Sequence, residues 1–188
     1  MSMNGESIPA AVTRQDALYQ EAADSYGAAL DRLARGYEAD PDRRRDLLQE
    51  IHLALWQSLA GFDGRCSLRT WVYRVAHNVA TSHVIREHRV NSRILVDIEA
   101  LETLPAKSDD ERDIDRHYDR RHVLEKLLAL IQQLKPLDRQ IILSYLEDMD
   151  AALIAEITGI SPGNVATKIH RIKNVLASKF HEGGNHGK

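Results

Sequence analysis

Cysteine is almost absent from this chain of 188 residues: Cys66 stands alone. No intramolecular disulfide can form, and a reducing cytoplasm is the simplest compartment. Aromatic residues amount to 5%, glycine to 10 residues and proline to 5, while alanine, leucine, arginine and the acids dominate, which favours an all-α protein. Strand-like alternation persists nowhere. Long apolar runs are missing too, since no stretch of about 18 apolar residues occurs. The first residues, MSMNGESIPAAV, have neither the basic start nor the apolar core of a signal peptide, so a soluble protein with no direct membrane insertion is expected. A surplus of one charge is also lacking. With 25 basic and 28 acidic residues the net charge is −3, which at first sight argues against a nucleic-acid partner.

The distribution of those charges reverses that impression. Residues 61–95 carry 6 basic residues against 2 acidic, and residues 161–188 carry 5 against 1, whereas residues 96–125 carry 5 against 10. Two positive blocks separated by an acidic one suggest two places where phosphates are met.

The most informative stretch is Asp150 to Ala177, DAALIAEITGISPGNVATKIHRIKNVLA. It reads as two short helices joined by a turn. A small residue at Ala155 lets the helices cross closely, Gly159 supplies a turn position tolerant of φ > 0, and Val165 packs the second helix back on the first. Ser161 predicts an N-cap with Pro162 in the first helical position. Val165, Ile169, Ile172 and Leu176 form an apolar back, while Asn164, Thr167, Lys168, His170, Arg171 and Lys173 form a polar, basic front. A helix of that kind suits a major groove. A helical hairpin with a solvated basic face is the plainer alternative at this point.

Elsewhere the chain is helical in blocks. Residues 14–37 predict one or two helices, with Gly27 a weak spot. Asp40 and Pro41 open another that runs to Leu59, with Leu48, Ile51, Leu55 and Leu59 as its apolar stripe and Leu47 and Trp56 broadening it. A loop, GFDGRCS, precedes a basic helix from about Ser67. Its expected buried set is Leu68, Trp71, Val72, Val75, Val79, Val84 and Ile85, with Arg69, Arg74, Asn78, His83, Arg86 and Arg89 around it. From about Asn91 the periodicity fades, Pro105 intervenes and acids accumulate, which reads as a solvated linker. Helical pattern resumes near Tyr118 and restarts after Lys135-Pro136. The expected organisation is a disordered N-terminus (1–11), a helical domain (12–90), a flexible acidic linker (91–117), a smaller helical domain ending in the helix-turn-helix (118–180) and a polar tail (181–188).

Catalysis and metal binding find no support. His77, His83 and His88 share a helix at spacings of 6 and 5, which do not bring them to one face, and no metal-ligand or catalytic motif occurs. No cofactor is expected. Two other readings stay open: a regulator that binds duplex DNA alone, which explains Asp150–Ala177 but not Asp46–Ala80, and a helical interaction protein, which has no need of a basic recognition helix.

Two blocks carry a family resemblance. DLLQEIHLALWQSLAGFDGRCSLRTWVYRVAHNVA (Asp46–Ala80) resembles the second region, and LKPLDRQIILSYLEDMDAALIAEITGISPGNVATKIHRIKNVL (Leu134–Leu176) the fourth region, of bacterial RNA polymerase sigma factors of the extracytoplasmic-function group. The resemblance implies a cytoplasmic, non-catalytic specificity subunit of RNA polymerase. It would bind core RNA polymerase and promoter DNA, both duplex and melted single strand, and answer to an anti-sigma factor. It further implies that Asp46, Gln49 and Glu50 meet core polymerase; from the residues alone they are equally an ordinary solvated face. Phe62, Asp63, Gly64 and Arg65 in the loop, with Arg69, Tyr73, Arg74, Asn78 and Arg86 on the helix, would open and hold the minus-ten element. Such work needs pockets, stacking surfaces and phosphate contacts close together. Asn78 would touch a base of the non-template strand, and Trp71 is read as core rather than as a stacking surface. Ser161, Asn164, Thr167, Lys168 and Arg171 would meet the minus-thirty-five element, base readers and phosphate contacts among them being undivided. The chain departs from the family pattern at Leu153, where a glutamate is usual, and at Cys66, Leu68 and His77, in place of serine, phenylalanine and a basic residue.

Overall fold

A computed structural model describes residues 13–91, 95, 98, 101 and 120–182. Among them are seven α-helices and no strand: α1 (Arg14–Tyr37), α2 (Pro41–Leu59), α3 (Leu68–Asn91), α4 (Arg120–Ile131), α5 (Pro136–Leu146), α6 (Ala151–Thr158) and α7 (Pro162–Glu182). The expected N-terminal tail, the expected C-terminal tail beyond Glu182, and all of the expected linker except Asn91, Leu95, Ile98 and Leu101, lie outside the described residues; the first two residues of the expected C-terminal tail, His181 and Glu182, instead end α7. Ile98 and Leu101 are buried.

The helix boundaries follow from side chains that satisfy orphaned backbone amides. Thr13 and Asp16 form a reciprocal capping box at the start of α1. Asp40 accepts from the amides of Asp42 (3.0 Å) and Arg43 (2.9 Å) ahead of Pro41, as its sequence predicts. Asp150 does the same for α6 through the Leu153 amide (2.8 Å). At the other end of α6, Gly159 takes φ +78°, the left-handed conformation its position in the turn demands. Ser161 then accepts from the Asn164 amide at 3.3 Å and opens α7. Residues 14–37 are a single helix, Gly27 included.

α1, α2 and α3 pack on one another, and so do α5, α6 and α7, with α4 against α7. The two groups also pack directly together, α1 and α3 of the first against α4, α5 and α6 of the second. That placement changes which faces are buried. On α2 the inward row is Leu47, Ile51, Leu55 and Leu59, with Leu48 half-buried and Trp56 40% exposed. Full burial of each leucine or isoleucine in that row contributes about 1.5–3 kcal/mol. Trp56 instead lies against the start of α1, its indole N–H donating to Asp16 at 2.9 Å and its carbonyl accepting from Gln15 at 2.7 Å. On α3 the buried residues are Thr70, Val72, Tyr73, Ala76, His77, Ala80, His83 and Val84, and Ile85 is exposed. An α3 gripped from two sides buries a wider arc than a single apolar stripe, and polar residues enter it.

Those polar residues find partners, although Arg139 Nε is buried without one. His83 Nε2 lies 3.1 Å from the Glu38 carboxylate. His77 bridges Tyr37 Oη (2.9 Å) on α1 and Ser144 Oγ (3.0 Å) on α5, and burial pushes its pKa down to about 3. Arg139, 2% exposed, packs its guanidinium over the Tyr37 ring and donates to the carbonyls of Gln132, Leu134 (3.0 Å) and Tyr37 (3.4 Å). Burial lowers its pKa to about 10. His77 and His83, considered above as metal ligands, are therefore structural; the side chain of His88 lies outside the described residues. Among the described residues no helix is long and apolar enough to cross a membrane.

Candidate nucleic-acid interface

The basic face of α3 and the loop before it surround a cleft of about 670 Å³, lined by Gly61, Asp63, Arg65, Cys66, Ser67, Thr70, Trp71 and Arg74, with Leu153 and Glu156 of α6 on the far side. Ser67 fixes the start of α3, its hydroxyl accepting from the Thr70 amide at 3.0 Å. In the loop, Gly64 takes φ +79°. Asp63 accepts from the backbone and side chain of Arg65 (3.2 and 2.6 Å), and these contacts, the Arg65 amide first, hold its carboxyl below the usual range. The Arg65 side chain is 90% exposed. Phe62 packs edge-on against Trp71, with ring centroids 5.3 Å apart, and the Trp71 indole N–H donates to Ser58 at 3.0 Å. Trp71 thus braces the loop from the core side, as its place in the apolar pattern predicts.

The remaining α3 candidates divide into those turned to solvent and those already engaged. Asn78 is exposed. Arg86 is 58% exposed and donates to Glu50 of α2 at 2.7 Å, so one residue expected to meet DNA and one expected to meet polymerase lie in contact. Beside them Arg43 pairs with Glu87. Asp46 and Gln49 are exposed on the same helix as Glu50, off its apolar row.

Arg69, Tyr73 and Arg74 face the second helical group. The Arg69 guanidinium donates to the Glu147 carbonyl at 2.7 Å and lies over the Tyr73 ring at 5.9 Å. Tyr73 Oη donates to the Glu147 carboxylate at 3.4 Å, and its pKa is pushed up to about 12, by burial first and then by the Glu147 charge. Arg74 donates to the Glu156 carbonyl at 2.8 Å. Glu147 also receives a two-pronged contact from Arg32 of α1 (2.6 and 2.7 Å). None of Glu147, Glu156 or Arg32 stands out by motif. The available signal was chemical: acids flanking a helix-turn-helix expected to meet phosphates require cationic partners, and α3 holds several.

On α7 the geometry is the reverse. Val165, Ile169, Ile172 and Leu176 are buried, and Ser161, Asn164, Thr167, His170 and Arg171 are exposed. Thr167 Oγ1 donates to the Gly163 carbonyl at 3.0 Å. Lys168 pairs at 2.6 Å with Asp138, whose side chain is only 6% exposed. Lys173 contacts Tyr145 through both its hydroxyl (3.1 Å) and its ring face (5.0 Å). The first turns of α7 thus present hydroxyl, amide and guanidinium groups on a rigid apolar back, which is the chemistry of base and phosphate contact.

Comparison with known proteins gives this arrangement a context. The family described as Sigma-70 region 2 matches residues 22–90, and Sigma-70, region 4, matches residues 124–176. The chain is 28% identical over 143 residues to the RNA polymerase sigma factor YlaC of Bacillus subtilis, across 73% of this chain and 80% of that protein. It is 30% identical over 150 residues to the ECF RNA polymerase sigma factor SigG of Mycobacterium tuberculosis, across 70% of this chain and 40% of that longer protein. Among solved structures it resembles the sigma factor RpoE in complex with the anti-sigma factor NepR from Bartonella quintana (TM-score 0.63, 16% identity, 87% of this chain and 96% of that one). It also resembles CnrH in complex with the cytosolic domain of CnrY (TM-score 0.57, 19% identity, 85% of each chain). At those identities the two structures speak to the fold, which is the all-helical fold expected from the sequence.

Proposed function

The chain belongs to the sigma-70 family, with regions 2 and 4 both present, and from that premise we propose a division of its surfaces among the partners of promoter-specific transcription initiation. The exposed polar face of α2, Asp46, Gln49 and Glu50, docks on core RNA polymerase. The loop and front of α3 take the minus-ten element: Phe62 and Asp63 shape the loop, Arg65, Arg69, Arg74 and Arg86 hold phosphates of the opened strand, and Tyr73 and Asn78 meet its bases. Ser161, Asn164, Thr167, Lys168 and Arg171 of α7 take the minus-thirty-five element. The protein acts as a non-catalytic subunit in the cytoplasm, and an anti-sigma factor holds it in reserve.

The observation that supports this division is that the three sets of residues stand on three different helices, the first two touching where Arg86 pairs with Glu50. Each has its own chemistry: acids and an amide on α2, guanidinium groups beside a loop cleft on α3, and a polar front over an apolar back on α7. Opening DNA requires the second of these, because unpaired bases must be held while phosphates are neutralised.

The test is transcription. Purified protein is added to bacterial core RNA polymerase with genomic DNA of the source organism as template, and transcript starts are sequenced. Discrete new starts that share two upstream motifs are expected. Absence of new starts, together with specific duplex binding by the protein alone, contradicts the proposal and favours a regulator that acts without polymerase.

A further inference from the structure

Lys168 stands apart from the rest of the polar front of α7. By helical spacing it lies between Asn164 and Arg171, which are exposed, and Val165 and Ile172, which are buried. Its side chain is 35% exposed, and its ammonium meets Asp138 Oδ1 of α5 at 2.6 Å. Asp138 sits in the first turn of α5, where the start of a helix favours a carboxylate, and its side chain is only 6% exposed. Stability alone is a poor account of such a pair. Desolvating the two charges offsets most of their attraction, and an apolar pair of similar volume commonly serves as well. What the pair does is fix the head of a long side chain at the edge of the helix, where α7 turns from its buried row to its exposed front.

We propose that Asp138 is a positioning residue for minus-thirty-five binding: it holds the Lys168 ammonium at the edge of α7, where that ammonium meets a backbone phosphate rather than a base. This rests on the reading of α7 as the minus-thirty-five surface. An ammonium carries three donor hydrogens, and one contact to Asp138 leaves the others for the solvent-facing side. It is a compact point charge without the rigid fork of a guanidinium, and its tether keeps it on the α5 side of the helix instead of over Asn164, Thr167 and Arg171. A lysine already held in place loses less freedom on binding DNA than a free one, a difference of about threefold to tenfold in affinity. The same carboxylate repels a phosphate. Charge and positioning therefore act in opposite directions at Asp138, which lets one experiment tell them apart.

The test uses holoenzyme, the full chain on core RNA polymerase, and a duplex carrying a promoter mapped from its transcript starts. Affinity is read by fluorescence anisotropy over a range of salt concentrations, on that duplex and on copies substituted in the upstream motif. Lys168→Met is expected to weaken binding by about the same factor on every duplex and to reduce the salt slope by about one. A loss confined to one upstream sequence, or an unchanged slope, overturns the proposal. Asp138→Asn removes a negative charge beside the DNA, so charge alone predicts tighter binding. Positioning predicts binding weaker by about threefold to tenfold, with no further loss when the substitution is added to Lys168→Met. Unchanged or tighter binding overturns the proposal, and so does an equal loss on both backgrounds, which marks a purely structural role. Circular dichroism melts of the free chain check the fold, and Asp138→Ser repeats the measurement where the asparagine variant does not fold. Arg171→Ala separates the two layers. A loss there with none in Lys168→Met leaves α7 as the minus-thirty-five surface and ends this proposal, and no loss in either removes that surface as well.

Discussion

α3 and α7 are the two helices assigned to DNA, and they meet their surroundings in opposite ways. α7 buries one apolar row and leaves Ser161, Asn164, Thr167, His170 and Arg171 exposed, while Lys168 pairs with Asp138 of α5. α3 is gripped by α1 and α2 on one side and by α5 and α6 on the other, so that Arg69, Tyr73 and Arg74 already hold partners within the chain. The difference teaches that one of the two proposed DNA surfaces stands largely open while part of the other is engaged within the chain. It also locates the polar cost of the fold: the buried His77 and Arg139 lie where the two helical groups join, not inside either.

The strongest way to break the comparison is to remove the joint itself. Arg139→Ala strips the guanidinium from the carbonyls of Tyr37, Gln132 and Leu134, and it is expected to lower the free energy of unfolding by about 3 kcal/mol in urea titration. A change under about 0.5 kcal/mol, the range of ordinary surface substitutions, contradicts the role given to this residue. On the open side of the comparison, Arg171→Ala is expected to weaken binding of the polymerase-bound protein to its promoter by about 1–3 kcal/mol if it reads a base. Equal loss on every upstream sequence identifies a phosphate contact instead.

His77 sharpens the comparison through pH. Its folded pKa, about 3, lies below the ordinary value of 6.5, so between those limits the unfolded chain binds the proton and the folded chain does not. Stability from this group is therefore complete above pH 6.5 and is lost as pH falls toward 3. Relative to a His77→Gln variant, the wild type is expected to lose about 2 kcal/mol more between pH 7 and pH 5. Parallel pH profiles for the two proteins contradict the assignment. The smallest stability effect belongs to α2: Asp46→Lys with Glu50→Lys is expected to change unfolding by under about 1 kcal/mol, since the Glu50–Arg86 pair is exposed, while weakening binding to core polymerase. Unchanged polymerase binding removes those residues from that surface.

How much the sequence reveals follows the same divide. α7 was legible in its start and its buried row, because a helix with one buried face leaves a clean period and Gly159, Ser161 and Pro162 announce where it begins; the inward pairing of Lys168 with Asp138 was not. α2 was legible in extent but not in rotation: Leu47, not Leu48, heads the buried row, and Trp56 turns out to hydrogen-bond Asp16, because two adjacent leucines give no sign of which one faces inward. α3 was legible as a basic helix, yet the apolar pattern left His83 on its outer side and the family resemblance put Tyr73 at its DNA front, and both are buried. Their partners Glu38 and Glu147 lie far away in sequence, and no local pattern encodes a second domain closing over a helix. The contacts of Glu147, Glu156 and Arg32 were invisible for the same reason.

The measurement that tests this account most directly places a photo-crosslinking residue at position 78 and irradiates it with a mapped promoter, with and without core polymerase. The account predicts a crosslink to the non-template strand of the minus-ten element that depends on polymerase. A crosslink of equal yield without polymerase, or none in the polymerase complex, contradicts it.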